Sequence, residues 1–142
     1  MVLISLLLGL MGAIAFLLLL RTLPQAESRI LAWGLMVAAV IYVGFAVIGD
    51  ASKAWVGVEI AGVGIYGLFA ILGWLYSRWW LMLGWLLHPI WDVWLHLFAK
   101  GTDFTPAWYA LTCLSFDLLV AGYIGGTQLG LMNAKTVEMT PQ

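Results

Sequence analysis

Charged side chains are what this sequence has least of: 9% of 142 residues, six basic and seven acidic. Globular domains carry about 25%, and so few charges cannot hydrate the surface of a folded chain this long. The shortage excludes a water-soluble enzyme, and it excludes a disordered chain, which needs high charge and low hydrophobicity. No run of Lys or Arg occurs anywhere, which removes nucleic acid and polybasic lipid recognition. The single cysteine, Cys113, permits neither an internal disulfide nor a CxxC metal knuckle.

Hydrocarbon fills the space instead. Hydrophobic residues make up 64% and the mean hydropathy is +1.03, against about 45–50% apolar residues in ordinary domains. The solvent for most of this chain is lipid. A spanning helix needs about 20 mainly apolar residues, and five stretches supply them: 2–20, 30–48, 55–76, 80–98 and 106–125. Arg21 with Pro24, Gly49 with Asp50, Ser52 with Lys53, and Ser77 with Arg78 mark the breaks. Thr105 followed by Pro106 reads as an N-cap with proline at the first helical position. Ala13-Ile14-Ala15 resembles a signal-peptide cleavage site, yet no positive charge precedes it and the apolar run continues to Leu20. The stretch therefore reads as a span. The expected fold class is all-α: a single integral-membrane domain over 1–142, a bundle of five transmembrane helices with a flexible tail at 133–142.

Five spans put the termini on opposite sides. Arg21, Arg29, Arg78 and Lys135 gather on one side, Lys53 and Lys100 on the other. The positive-inside rule then places the N-terminus outside and the C-terminus in the cytoplasm. The membrane expected is a bacterial inner membrane or one of thylakoid type.

Nine tryptophans are present. Trp55, Trp79, Trp80 and Trp108 sit at span ends, where the interfacial aromatic belt places them. Trp74, Trp85, Trp91 and Trp94 lie deeper, and helix packing or lipid contact accounts for them. The sharper alternative is a wall for a flat ligand such as a quinone, carotenoid or tetrapyrrole, with Trp85, Trp91, Trp94 and Cys113 as candidate contacts. Gly57, Ala61, Gly64, Gly67 and Gly73 give the third span small-residue spacing that lets helix backbones approach. It is the expected central helix.

The most informative residues are those that lipid should exclude. His88, Asp92 and His96 lie on the fourth span, Asp117 near the middle of the fifth, and Glu59 near the outer end of the third. An isolated charge at such depth costs about 2.5–3.5 kcal/mol on the lenient insertion scale, so these groups face the interior and find partners. Spacing of i, i+4, i+8 puts His88, Asp92 and His96 on one stripe that drifts about 40° per step. His88 and His96 are then about 12 Å apart along the axis, too far for one metal ion unless the helix breaks between them. By depth, His88 matches Asp117 and His96 matches Glu59, with Asp92 between. Pro89 removes a helix bond to the Trp85 carbonyl and should kink the span beside His88. The five residues are expected to line one interior cavity opening toward the outer face. Interhelical hydrogen bonds, a metal site of His and carboxylate ligands, proton movement along the stripe, and axial ligation of a haem or pigment are the readings that fit. Cys113, four residues before Asp117, is buried in apolar surroundings where a thiol is inert.

The stretch His88-Pro89-Ile90-Trp91-Asp92 with His96, then Phe104-Thr105-Pro106-Ala107-Trp108-Tyr109, Cys113 and Phe116-Asp117, resembles a family of small integral-membrane proteins of unknown function. The resemblance covers the C-terminal third and implies a membrane bundle but no activity. Membrane desaturases and hydroxylases are unlike it, because their di-iron sites take many more histidines than the two here.

Two classes of function fit these residues. One is an independent protein whose buried site binds a divalent metal ion or protons, with enzyme chemistry on lipid-soluble substrates open to it. The other is an accessory subunit of a respiratory or photosynthetic membrane complex, its cluster structural or holding haem, a pigment or a quinone. The partners expected are the lipid bilayer and either other membrane-protein subunits or a second copy of the chain.

Overall fold

A computed structural model describes residues 1–132; the expected tail at 133–142, with Lys135, lies outside the described residues. Five long helices run through it: α1 (Val2–Thr22), α2 (Glu27–Ile48), α3 (Lys53–Leu75), α4 (Arg78–Val93) and α5 (Ala107–Gln128). A π turn, Trp94–Phe98, extends α4, and short 3₁₀ turns occupy Pro24–Ala26 and Lys100–Asp103. With the π turn counted into α4, all five are long and apolar enough to cross a membrane. The class is all-α.

Local chemistry sets the helix ends. Ser52 and Ser77 cap α3 and α4, their hydroxyl oxygens accepting the backbone N–H of Trp55 and Trp79. Glu27 sits in the first turn of α2, where the helix dipole favours an anion, and pairs with Arg78 at the start of α4. Asp50 takes a positive φ of 52° in the tight turn between α2 and α3, a conformation that short polar side chains tolerate. Thr105 does not cap α5: the helix starts at Ala107 with Pro106 as its cap residue. The Thr105 hydroxyl is left buried with no hydrogen-bond partner.

In space the helices follow the order α1, α5, α4, α3, α2, and α2 returns to touch α4. The α1–α5 seam is close because Gly9 lies against the Thr112 carbonyl and the Ser115 hydroxyl. Thr112 Oγ1 donates to the Ser5 carbonyl at 3.2 Å and Ser115 Oγ to that of Leu6 at 2.8 Å. On the α2–α4 side, the Trp85 indole N–H donates to the Leu31 carbonyl at 3.2 Å. Leu20, Leu31, Leu35, Leu81, Val120 and Ile124 fill the common core. Large apolar side chains such as Leu18, Val37, Ile60, Leu68 and Ile90 cover the outside, a surface that suits hydrocarbon and not water.

The central helix is α4, not α3. It packs against α3, α5 and α2 and is the most one-sided of the five, burying Leu81, Gly84, Trp85, His88 and Asp92 at helical spacing. Glycine content misleads about α3 because only part of it faces a neighbour. Gly62, Gly67 and Gly73 meet Trp91, Met36 and Leu81, whereas Gly57 and Gly64 have nothing beside them.

Candidate metal centre

His88 projects from the middle of α4 toward α5 and meets Asp117 there. Its Nδ1 lies 2.9 Å from Asp117 Oδ2 and 3.3 Å from Asp92 Oδ2. The first contact is a hydrogen bond between imidazole and carboxylate, its direction set by which of the two holds the proton. The second lacks hydrogen-bond geometry, and both Asp92 oxygens are without a partner. Asp92 has no exposed surface and His88 is 1% exposed. One ligand atom from each of His88, Asp92 and Asp117 falls within 4.8 Å of the others.

Aromatic side chains fix the imidazole. Tyr66 of α3 meets the His88 ring edge-on at 4.7 Å, and its hydroxyl donates to the Leu87 carbonyl at 3.2 Å. Tyr42 of α2 lies 5.8 Å from His88 on another side. Neither tyrosine stands out in the sequence, since a lone Tyr in an apolar span reads as packing. Their depth, level with the ionisable stripe, is the signal that would have found them.

The remaining two ionisable groups form a separate pair nearer the end of the bundle that carries the Lys100–Asp103 turn. His96 Nε2 stands 3.5 Å from Glu59 Oε1, again without a hydrogen bond. The π turn presents His96 here: its wider loop offsets the rotation that would carry the residue off the Asp92 face. Tyr42 stacks on the His96 ring, centroids 4.4 Å apart and planes 14° from parallel. Phe104 meets it edge-on, and Gly101 approaches its Nδ1 so closely that a Cβ there would collide. The stripe thus divides into two clusters, as the axial distance between the histidines requires. Asp92 falls in the cluster of His88 and Asp117.

The single open cavity expected from the sequence is replaced by close packing. A crevice lined by Tyr42, Glu59, Gly62, Tyr66, His88 and Trp91 connects the two clusters, but it is too narrow to admit a water molecule. The reason is aromatic fill, with three large rings occupying the space between the polar groups. The tryptophans form no common wall. Trp85 is buried and bonded to α2, Trp91 lies against Gly62 in the crevice, and Trp94 is 70% exposed on the outer face with Ile90 and Phe98. Cys113 is free and buried.

The donor set of one imidazole and two carboxylates suits a divalent ion such as zinc or manganese. Ligand bonds of about 2.0–2.2 Å place neighbouring donors of a tetrahedral site about 3.4 Å apart. The separations of 3.3 Å for His88–Asp92 and 3.5 Å for His96–Glu59 match that spacing. The 2.9 Å of His88–Asp117 is shorter and needs an opening of a few tenths of an ångström.

A model of one protein family matches residues 4–134. The chain belongs to that family, DUF6010, a family of unknown function. Membership extends over nearly the whole chain, so α1 and α2 are part of what the family shares and the likeness is wider than the C-terminal motif. No curated protein and no solved structure matches it.

Proposed function

We propose that this protein is an integral-membrane binder of a divalent metal ion, held inside the bundle by His88, Asp92 and Asp117. One observation carries the reading: Asp92 is wholly buried, lies 3.3 Å from His88 Nδ1 with the Tyr42 hydroxyl also in reach, and neither of its oxygens makes a well-formed hydrogen bond. A buried carboxylate left so costs several kcal/mol unless something positive or protonated sits beside it. One divalent ion cancels the charge of both carboxylates with His88 neutral, and it supplies the contacts that Asp92 lacks. Among the described residues, His88 itself is the cation in reach when protonated, and its single charge balances one carboxylate and not both; the Arg78 guanidinium is engaged with Glu27 at the end of the bundle.

The 2.9 Å hydrogen bond between His88 and Asp117 supports a companion reading. When no ion is bound, a proton on Nδ1 occupies the position the ion takes, so that loading the metal releases a proton. Cation binding and proton binding are then alternative states of one site. Reaction chemistry on a membrane-soluble substrate is no part of this proposal.

The test is elemental analysis of the detergent-purified protein, followed by titration of the metal-stripped form with Co²⁺. The expected result is one ion per chain, with an absorption spectrum of mixed nitrogen and oxygen ligation. Asp92→Asn or Asp117→Asn should weaken binding by more than about 100-fold, since losing a ligand costs more than losing a second-sphere partner, itself about 10–100-fold. A wild-type protein that carries no metal and takes up no Co²⁺ would overturn the proposal.

A further inference from the structure

A buried ion needs a way in, and the second cluster lies between the centre and the loops. Glu59 and His96 are 2% and 0% exposed, come from α3 and the π turn, and face each other at 3.5 Å with both His96 nitrogens unpartnered. A further buried hydroxyl, that of Thr105, also lacks a partner. These three side chains, from α3, the π turn and the segment before α5, give this end of the bundle more unmet polar valence than packing alone requires. The crevice is lined by Glu59 of the pair and His88 of the centre, so one narrow gap between helices touches both clusters.

We propose that Glu59 and His96 form a second, transient cation subsite through which a divalent ion passes between the loop end of the bundle and the His88–Asp92–Asp117 centre. The spacing of the pair is that of two adjacent ligands on one ion. It offers two strong ligand atoms where the centre offers three, so an ion gains by moving inward. Favourable but incomplete binding at each stop is what lets an ion move through a pore. Passage requires the rings of Tyr42 and Trp91 to shift, because the crevice is closed to water as packed. The π turn beside His96 provides backbone that rearranges at lower cost than a regular helix. Outside the pair lies the Lys100–Asp103 turn, held against His96 by Gly101 and bearing the exposed Asp103 carboxylate.

The inference rests on the metal-binding reading, and the experiment separates the two. Protein loaded with Co²⁺ is mixed with excess chelator, and loss of the cobalt absorption is followed in time. Glu59→Gln removes a subsite ligand while keeping its shape. Gly62→Ala touches no ligand but places a Cβ 3.2 Å from the Trp91 ring in the crevice wall. Both variants are expected to release cobalt roughly tenfold more slowly, the scale of outer-shell effects on a metal site. The Gly62→Ala protein should still hold one ion per chain, and the cobalt spectrum of Glu59→Gln should keep the wild-type shape. Release at the wild-type rate from both variants overturns the subsite. A changed spectrum in Glu59→Gln also overturns it, by making Glu59 a ligand of the resident ion. Wild-type protein that binds no cobalt overturns the metal reading and the subsite together.

Discussion

At the scale of single residues, the metal reading makes a prediction about stability whose sign depends on the ion. Asp92 is buried without a hydrogen bond to either oxygen. In metal-free protein its one close polar neighbour on α4 is His88 Nδ1 at 3.3 Å, with no hydrogen bond formed, so desolvation outweighs what the charge gains and Asn, which carries none, should be tolerated or preferred there. In the presence of the ion the order reverses, because a ligand that binds only the folded state adds about 2.7 kcal/mol at 100 times its dissociation constant. Thermal unfolding in detergent should therefore show Asp92→Asn at least as stable as wild type after chelation, and less stable than wild type with zinc added. Wild type more stable than the variant under both conditions would mean that Asp92 has a protein partner and no need of a metal. The same logic makes Asp117 less diagnostic, since its hydrogen bond to His88 would be lost in either state.

At the scale of elements, α1 is held by backbone proximity more than by apolar bulk. It buries only Ser5, Gly9, Ala13 and Leu20, three of them small, and two hydroxyls of α5 donate to its carbonyls. Gly9 is the point of closest approach, with the Thr112 carbonyl and Ser115 hydroxyl where a side chain would go. Gly9→Val should push α1 away from α5 and break both hydrogen bonds, a cost of about 1–3 kcal/mol. Easier thermal unfolding and faster proteolysis of α1 in detergent would report it, while cobalt binding at α4 and α5 is retained. The five helices were legible because lipid demands long uninterrupted apolar runs, and polar breaks between such runs are conspicuous. Depth along those runs also matched His88 with Asp117 and His96 with Glu59, since axial rise is nearly the same in every helix. Which face of α3 packs was not legible: glycine spacing marks a surface able to approach another helix without saying whether a partner is there. The π turn was not legible either, nor was the displaced Thr105, because both depend on how the Lys100–Asp103 turn fits over His96. Tyr42 was not legible for a related reason, as its place between the two histidines comes from α2 folding back across α4.

At the scale of the whole molecule, the two ends of the bundle differ in charge, and the difference bears on which side supplies the ion. One end carries Arg21, Arg29 and Arg78; the other carries Lys53 and Lys100 together with Asp50 and Asp103. The arginines are anchored there. The Arg21 guanidinium lies 5.9 Å over the Tyr123 ring, that of Arg29 lies 5.7 Å over Trp74, and Arg78 pairs with Glu27. Trp74 stands next to the last residue of α3, at the span end and not deeper as its place in the sequence suggests, and cations seated on aromatic rings there suit a membrane boundary, where stems lie in hydrocarbon and head groups reach water. On the positive-inside rule we propose that the arginine end faces the cytoplasm and the Lys100–Asp103 end the outside. Glu59 and His96 lie toward that outer end, so the ion would be loaded from outside the cell. In a Cys113→Ala background, Thr102→Cys and Gln25→Cys place single thiols on exposed turns at the two ends. A membrane-impermeant maleimide applied to intact cells should label position 102 and spare position 25 until the membrane is opened. The reverse pattern would invert the bundle and make the cytoplasm the source of the ion, leaving the ligand geometry of the centre untouched.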